Sequence, residues 1–279
     1  SLAFPRGLLA VVTREVVAGR SCRDLEVPAA ATLLVAAEAW FHVELARYGT
    51  VSFADHAAVA ATVTLVLIIG GRIVPAFTGN WLRQQNPGPL PTPFGAFDRA
   101  SATLALVALA AWVALPATPA AAPAIGALLL AAGVAGFVRQ LRWRPWRTLA
   151  EPLVTVLHAG YAFVPAGFVM AGVAARDPAL VAPTAATHTW TIGAIGLMTL
   201  AVMTRATRGH SGRPLTAPPA TVAIYAGIVV AVLARLVAAQ SPSLTLVALP
   251  LAAAAWVAAF GGFVLAYGRM LLKPPEGRP

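Results

Sequence analysis

The order of apolar and polar residues along the chain predicts a series of membrane-crossing helices. A helix needs about 20 predominantly apolar residues to cross the hydrocarbon core of a bilayer. Eight runs of roughly that length alternate with short polar segments, at 28–46, 56–77, 100–116, 120–138, 150–174, 180–204, 217–239 and 243–270. The bilayer core holds no water to hydrogen-bond backbone N–H and C=O groups, so a spanning segment must pair them internally, as a helix does. We therefore predict an all-α fold, a polytopic transmembrane helix bundle of about eight spans.

No soluble segment interrupts these runs, so we expect a single transmembrane helical domain over residues 1–279. Residues 1–27 are apolar but carry Arg6, Arg14 and Glu15, which indicates an interfacial helix or the end of an earlier span. The chain begins at Ser1 without a signal-type n-region, and we expect it to be N-terminally truncated. Recurrent Ala and Gly in the spans predict close approach of helix backbones.

The basic residues fall mainly on one side of this map. Seventeen of the 20 Lys and Arg residues lie at the termini or around alternate loops, while Arg47 and Arg176 lie in the intervening loops and Arg235 lies inside a span. The seventeen are Arg6, Arg14, Arg20, Arg23, Arg72, Arg83, Arg99, Arg139, Arg142, Arg144, Arg147, Arg205, Arg208, Arg213, Arg269, Lys273 and Arg278. Basic residues favour cytoplasmic loops. We predict that both termini and the 78–99, 139–149 and 205–216 loops are cytoplasmic.

Composition narrows the function classes. The chain is 59% hydrophobic and 11% charged, against about 25% charged residues in soluble domains. The net charge of +10 is explained by topology, and membrane lipid rather than nucleic acid is the expected partner. One cysteine, Cys22, excludes an internal disulfide, CxxC motifs and an all-cysteine iron–sulfur site. The absence of Walker A, GxSxG and HExxH motifs argues against nucleotide and hydrolase chemistry.

Two histidines lie inside consecutive spans, where an ionisable group is costly without a partner. If the fifth span begins near 150 and the sixth near 180, His158 and His188 are each roughly 12 Å deep from opposite sides. In a core about 30 Å thick, their depths then differ by only about 6 Å. Such a pair could bind a metal or ligate a haem. Alternatively, the two imidazoles could hydrogen-bond neighbouring helices through Thr187, Thr191 or Tyr161.

Glu38 and His42 are four residues apart in the first span and therefore share one helix face. If they face the bundle, they could form a proton path, or a carboxylate that orients a ligating imidazole. An internal pair that holds helices together is the alternative. His56 begins the second span and is expected to be interfacial and solvated.

Two basic positions near the predicted cytoplasmic side also attract attention. Arg72 follows two glycines in GGRIVPAFTGNWL (70–82), where it could meet a haem propionate or lipid phosphate, or simply set topology. Pro75 in the same segment should break or kink the helix. His210 lies beside Arg208 in a loop, and residue types alone favour a turn residue.

The Pro/Gly-rich segment 86–95 predicts an ordered or extended loop. Tryptophans near the span ends, such as Trp143, predict an interfacial belt.

Five blocks then carry a resemblance to a known family. They are REVVAGRSCRDL (14–25), IIGGRIVPAFTGNWL (68–82), LRWRPWRT (141–148), LHAGYAFVPAGF (157–168) and HTWTIGAIGLMTLAVMTRATRGHSGRPL (188–215). In this order they closely resemble the NnrS family across essentially the whole chain. Its members are polytopic membrane proteins described as containing haem and copper, and are linked to bacterial nitric oxide metabolism and nitrosative stress. The GGR-PxFT-NW and H-GAxGxMxLAVMTRAxxGHxGR patterns are highly specific.

The resemblance implies a haem- and copper-associated protein of the bacterial inner membrane that protects against nitrosative stress. We expect His158, His188 and Arg72 to bind the haem, with a bis-imidazole haem between the fifth and sixth spans. We expect His42, Glu38 and His210 to serve a second metal or a proton path. Family members typically begin with further spans that carry an HxHE-type motif and a GFLLTA-PNW-type segment, and both are missing here.

Two other classes compete with this reading. One is a proton-coupled transporter or channel without redox chemistry, in which Glu38, His42, His158 and His188 form the coupling site. The absence of a detectable internal repeat is mild evidence against repeat-built transporter folds. The other is an accessory protein whose histidines only cross-link helices.

Overall fold

The computed structural model describes residues 26–272 apart from 52, 116 and 117, together with residues 7, 9–11, 13 and 14. Within these residues there is no strand, and eight helices are long and apolar enough to cross a membrane. They are α1 (Glu26–Tyr48), α2 (Phe53–Gln85), α3 (Ala96–Ala114), α4 (Ala122–Leu141), α5 (Pro152–Arg176), α6 (Pro183–His210), α7 (Pro219–Gln240) and α8 (Thr245–Leu272). The predicted all-α transmembrane bundle is thus confirmed.

The N-terminal segment is described only in part. Residues 7, 9–11, 13 and 14 are helical. Cys22 and most of the 14–25 block lie outside the described residues. The interfacial helix or earlier span expected at 1–27 therefore stays a prediction.

The longest helix, α2, differs most from its prediction. The apolar run ends at 77, but the helix continues through Pro75 to Gln85. Pro75 does not break it, contrary to one of the two predicted outcomes. The extension remains helical because neighbouring elements enclose it, with Thr78 and Leu82 both fully buried. The end of an apolar run is therefore not the end of this helix.

The centre of the bundle is the pair α5 and α6. Helix α5 packs against α2, α4 and α6, while α6 also contacts α7 and α8. Large side chains buried at this centre are Leu153, Leu157, Tyr161, Phe168, Trp190, Leu197 and Leu200. By contrast, α8 leaves Leu246, Leu265 and Leu272 more than four-fifths exposed, as expected of a surface that faces lipid.

Small residues allow α4 and α5 to approach closely, as the sequence predicts. A Cβ added to Gly172 would lie 2.8 Å from the carbonyl oxygen of Gly126, and one added to Gly133 would lie 2.9 Å from the Pro165 carbonyl oxygen. These backbones are therefore in contact. At such a crossing, any larger residue must displace the facing helix.

Helix α6 contains a π-helical stretch at Thr189–Gly196, which aligns it on α5. Trp190 is fully buried over Gly167, and its Nε1 donates to the Val164 carbonyl at 3.0 Å. Thr189 donates to Met170 Sδ at 3.0 Å. π-Helical turns are rare and occur frequently at functional sites. Here the stretch lies directly after His188.

Three loops meet at one end of the bundle, which we call the arginine-rich end: 86–95, 142–151 and 211–218. Arg147 donates to the carbonyls of Asn86 (2.7 Å), Pro87 (3.0 Å) and Pro89, so the 86–95 segment is an ordered loop as predicted. The Ala217 amide donates to Glu151 at 3.1 Å and links the other two loops. The predicted cytoplasmic loops thus share one end of the bundle.

One tryptophan departs from the predicted interfacial belt. Trp146 is half exposed, but Trp143 is 2% exposed and packs edge-on against Tyr161 with ring centroids 4.8 Å apart. The guanidinium of Arg139 lies 5.2 Å from the Trp143 ring centroid. Trp143 is therefore a core residue, because the chain after α4 folds back under the bundle.

Replacing Gly172 should disrupt the crossing of α4 and α5. We expect Gly172→Leu to destabilise the protein by about 1–3 kcal/mol, because the new side chain overlaps the Gly126 backbone. Thermal unfolding in detergent would measure the loss. Gly261→Leu on α8 is the matched control, because a Cβ there meets nothing within 4 Å. Equal melting temperatures for the two variants would contradict this packing.

Candidate functional site

A cavity of about 1180 Å³ opens between the ends of α2 and α6 at the arginine-rich end. We call it the α2–α6 cavity. Its α2 wall includes Phe77, Asn80, Trp81 and Gln84, its α6 wall includes Val202, Arg205, Gly209 and His210, and Glu151, Pro214, Leu215 and Thr216 close it. Most of the residues in both walls lie beyond the apolar runs of these helices, while Phe77 and Val202 lie at the ends of those runs.

Helical periodicity explains why these residues line one space. Residues three or four apart on a helix share a face. Phe77, Trp81 and Gln84 keep this spacing on α2, and Val202, Arg205 and Gly209 keep it on α6. Sequence blocks 68–82 and 188–215, more than a hundred residues apart, therefore supply opposite walls of the same cavity.

The cavity combines aromatic groups, a guanidinium and a carboxylate. The Arg205 guanidinium lies 4.3 Å from the ring centroid of Phe77, a cation–π contact. Glu151 is 6% exposed, and its Oε1 accepts from the backbone amides of Leu153 (3.0 Å) and Ala217 (3.1 Å). Its carboxylate thus begins α5 and anchors the 211–218 loop. The arrangement suits a ligand with a flat apolar body and an anionic group.

His158 lies near this cavity but is buried in the bundle. It is 3% exposed, and its Nε2 is 2.8 Å from Thr78 Oγ1, one residue from Phe77 of the cavity wall. Gln140 Nε2 donates to the His158 carbonyl at 2.6 Å. Side chains from α2 and α4 therefore hold both the ring and the backbone of His158.

The hydrogen bonds indicate which ring nitrogen of His158 carries the proton. Thr78 Oγ1 donates to the Val74 carbonyl at 2.8 Å, so it accepts from His158 Nε2–H. His158 Nδ1 has no hydrogen-bond partner among the described residues. The opposite tautomer would bury an unsatisfied N–H, which is costly. His158 therefore holds an unused lone pair on Nδ1 inside the bundle.

The structure does not bring His158 and His188 together. Thr189, next to His188, contacts Met170, which is twelve residues beyond His158 on α5. That separation corresponds to about 18 Å along the helix at 1.5 Å per residue. Two imidazoles on one metal must bring their nitrogens within about 4 Å, because metal–nitrogen bonds are about 2 Å long. A bis-imidazole haem shared by this pair does not fit the geometry.

The depth estimate failed because the helices are longer than the assumed core. Helix α5 has 25 residues, about 37 Å, whereas the estimate used about 30 Å. His158 is the seventh residue of α5, and His188 is the sixth of the antiparallel α6. Each histidine therefore lies near an opposite end of the pair. His188 is half-buried and lies towards the end of the bundle opposite the arginine-rich end.

The predicted groups on α1 are peripheral. His42 is exposed, with its ring edge-on to Phe41, and Glu38 is half-buried. His42 therefore does not meet the condition that both residues face the bundle, and within the described residues α1 packs chiefly against α2. His56 is not simply solvated, since its ring lies 4.3 Å from that of Trp112. In the part of the chain that the structure describes, no three His, Cys, Asp or Glu residues cluster to hold a metal.

Arg72 and His210, the other two predicted site residues, have different surroundings. Arg72 is exposed on α2 and is not among the residues that line the α2–α6 cavity. His210 is the last residue of α6 and faces that cavity, so it is not a mere turn residue. Sequence reasoning missed Thr78, Trp81, Glu151 and Arg205. The PxFT-NW pattern contains Phe77, Thr78 and Trp81, so it was the sequence signal that could have identified Thr78 and Trp81 as site residues.

In the part of the chain that the structure describes, eight spanning helices with a cavity at one end define a polytopic helical membrane protein. The profile of the family described as NnrS protein matches residues 1–274. The chain therefore belongs to the NnrS family, which confirms the resemblance. Neither the search of curated proteins nor that of solved structures gave a match.

Thr78 should stabilise the protein through His158. We expect Thr78→Val to cost about 1–3 kcal/mol, because His158 Nε2 then loses its partner in a buried site. Thermal unfolding would measure the loss, and the ¹⁵N chemical shifts of His158 would report its tautomer. Thr62→Val on the same helix is the control, because the Thr62 hydroxyl bonds the Ala58 carbonyl. A Thr78→Val variant as stable as Thr62→Val would contradict the proposed bond.

Proposed function

We propose that this protein is a haem-associated membrane protein that acts in nitric oxide metabolism and nitrosative-stress protection in the bacterial inner membrane. Membership of the NnrS family supports the proposal. The observation that carries it is the α2–α6 cavity, where the two most specific sequence blocks meet around an imidazole, a guanidinium and two aromatic side chains.

The residues of the cavity match the chemistry of a haem. His210 offers an imidazole for the iron, and Arg205 offers a guanidinium for the propionate carboxylates. Phe77 and Trp81 supply aromatic surface for the macrocycle. A bound haem would supply a redox-active iron to which nitric oxide can bind. This assignment moves the proposed propionate partner from Arg72 to Arg205.

His158 has a separate role in the proposal. Thr78 holds its ring in one tautomer and leaves the Nδ1 lone pair unused. A buried lone pair of this kind can accept a proton or bind a metal. We therefore assign His158 to a second ligand or proton site, apart from His188. Gln140 holds the backbone of this site through its bond to the His158 carbonyl.

Copper fits the described residues less well than haem. His42 and Glu38 present two donors on the outer helix α1, and a metal site there needs donors from beyond the described residues. We derive no step from copper. The proposal that Glu38 and His42 serve a metal or proton path rests on the family and on their spacing alone.

The competing function is proton-coupled transport through the bundle. The unpartnered Nδ1 of His158 is the one observation that favours it, because a buried imidazole can carry a proton. Iron and copper analysis with an optical spectrum separates the two functions. If both metals are absent from the full-length protein, uptake assays in liposomes distinguish a transporter from an accessory protein.

The optical spectrum of the purified protein tests the haem assignment. We expect a Soret band that is lost or shifted in His210→Ala, and haem affinity that falls about 10- to 100-fold in Arg205→Gln, by analogy with groups that support metal ligands. His56→Ala, far from the arginine-rich end, is the control and should leave the spectrum unchanged. The haem proposal fails if no Soret band forms. An unchanged band in His210→Ala would refute the assignment of His210 to the iron, and a band lost in both His158→Ala and His188→Ala would favour the pair instead.

A further inference from the structure

A small cavity of about 10 Å³ lies inside the bundle where α2, α3, α4 and α5 meet, and we call it the inner cavity. We propose that the inner cavity binds one water molecule, which bonds the side chains of Arg139 and Ser101 and the backbone carbonyl of Tyr161. The proposal is independent of haem binding. It rests on the size of the cavity, on the polar groups in its wall and on a proline in α5.

The inner cavity is bordered by helix faces rather than by loops. Residues three or four apart on a helix share a face. The lining residues keep this spacing: Ser101 and Ala105 on α3, Ala132, Gly136 and Arg139 on α4, and Tyr161, Val164, Pro165 and Phe168 on α5, with Leu67 from α2. A Cβ added to Gly136 would lie 3.0 Å from Pro165 Cβ, so α4 and α5 are in close contact beside the cavity.

The size of the inner cavity limits what it can bind. A volume of roughly 10–15 Å³ is just enough for one water molecule. Inorganic anions, lipid chains and haem are all larger and do not fit. A small cavity lined by apolar groups alone stays dry, whereas polar partners retain a water molecule. The polar groups in the wall therefore decide whether water binds.

Arg139 is the first of these polar groups. It is 4% exposed, and its Nη1 donates to Tyr161 Oη at 3.2 Å. Its Nε lies 3.4 Å from Asp98 Oδ1 but makes no hydrogen bond within the described residues. A buried charge is normally both paired and hydrogen-bonded. Arg139 itself lines the inner cavity, so a water molecule there would give this guanidinium a further acceptor.

Pro165 provides an acceptor for the same water molecule. Proline has no backbone N–H, so residue 165 cannot donate to the carbonyl of Tyr161, four residues earlier in α5. In spanning helices, carbonyls freed in this way are satisfied by neighbouring side chains or by ordered water. Tyr161 and Pro165 both line the inner cavity, which places the freed carbonyl beside it.

Ser101 supplies the third polar group. It is 4% exposed and lines the inner cavity from α3. It lies three residues after Asp98 and shares its helix face, on the side where Asp98 pairs with Arg139. A hydroxyl can both donate and accept. A guanidinium, a carbonyl and a hydroxyl together offer the three or so hydrogen bonds that a buried water molecule typically makes.

Hydroxyl-radical labelling of the purified full chain in detergent, started by an X-ray pulse, tests the proposal. Radiolysis converts a bound water molecule into a radical that oxidises the side chains beside it, even when they are buried. Tyr161 and Phe168 are each 1% exposed and should nevertheless be labelled, because both line the inner cavity. Tyr267 is also 1% exposed but lies outside this cavity, so it should remain unlabelled.

Two matched variants locate the water molecule. Ser101→Val should remove the label from Tyr161 and Phe168, because its methyl groups replace the hydroxyl and occupy the place of the water. Thr62→Val makes a similar change outside the inner cavity and should keep both labels. Labels that persist in Ser101→Val would overturn the proposed site. If that variant does not fold, the unmodified chain still decides, since equal labelling of Tyr161 and Tyr267 would contradict the proposal.

Discussion

The contact between α5 and α6 determines where the chemistry of this protein can lie. Glycines on each helix face large side chains on the other: Gly160 faces Met198, Gly167 faces Trp190 and Gly193 faces Phe163. Each pair permits only one alignment, because a shift along the axis would press the large side chain against backbone. The indole bond from Trp190 to the Val164 carbonyl reinforces that alignment. His158 and His188 are consequently held at different levels of the bundle.

The same alignment brings the far end of α6 to the far end of α2. Both helices extend beyond their apolar runs, and their polar last turns enclose the α2–α6 cavity. Arg147 and Glu151 stabilise this end chiefly by bonding backbone groups of the loops, and Arg147 also donates to the Asn86 side-chain oxygen at 3.2 Å. Charged groups thus have two functions at the arginine-rich end. Some satisfy loop backbone, while Arg205 keeps its guanidinium beside the α2–α6 cavity.

Sequence reasoning predicted the spans well, because a long apolar run specifies a spanning helix through length and composition alone. It could not predict which side of a helix faces inward. His42, which is exposed on α1, shows this limit. Trp143, in the turn after α4, is buried where an interfacial position was expected. Contacts such as that of Phe77 with Arg205 join residues 128 positions apart, and no local pattern encodes them. The family motifs identified the right residues but not their common cavity.

A density map of the purified protein with its bound cofactor is the most direct test of this account. The account predicts a planar group in the α2–α6 cavity, with His210 directed at its centre and Arg205 at its edge. His158 and His188 should lie on separate levels of the bundle. A planar group between α5 and α6, ligated by both His158 and His188, would contradict both the helix alignment and the site proposed here.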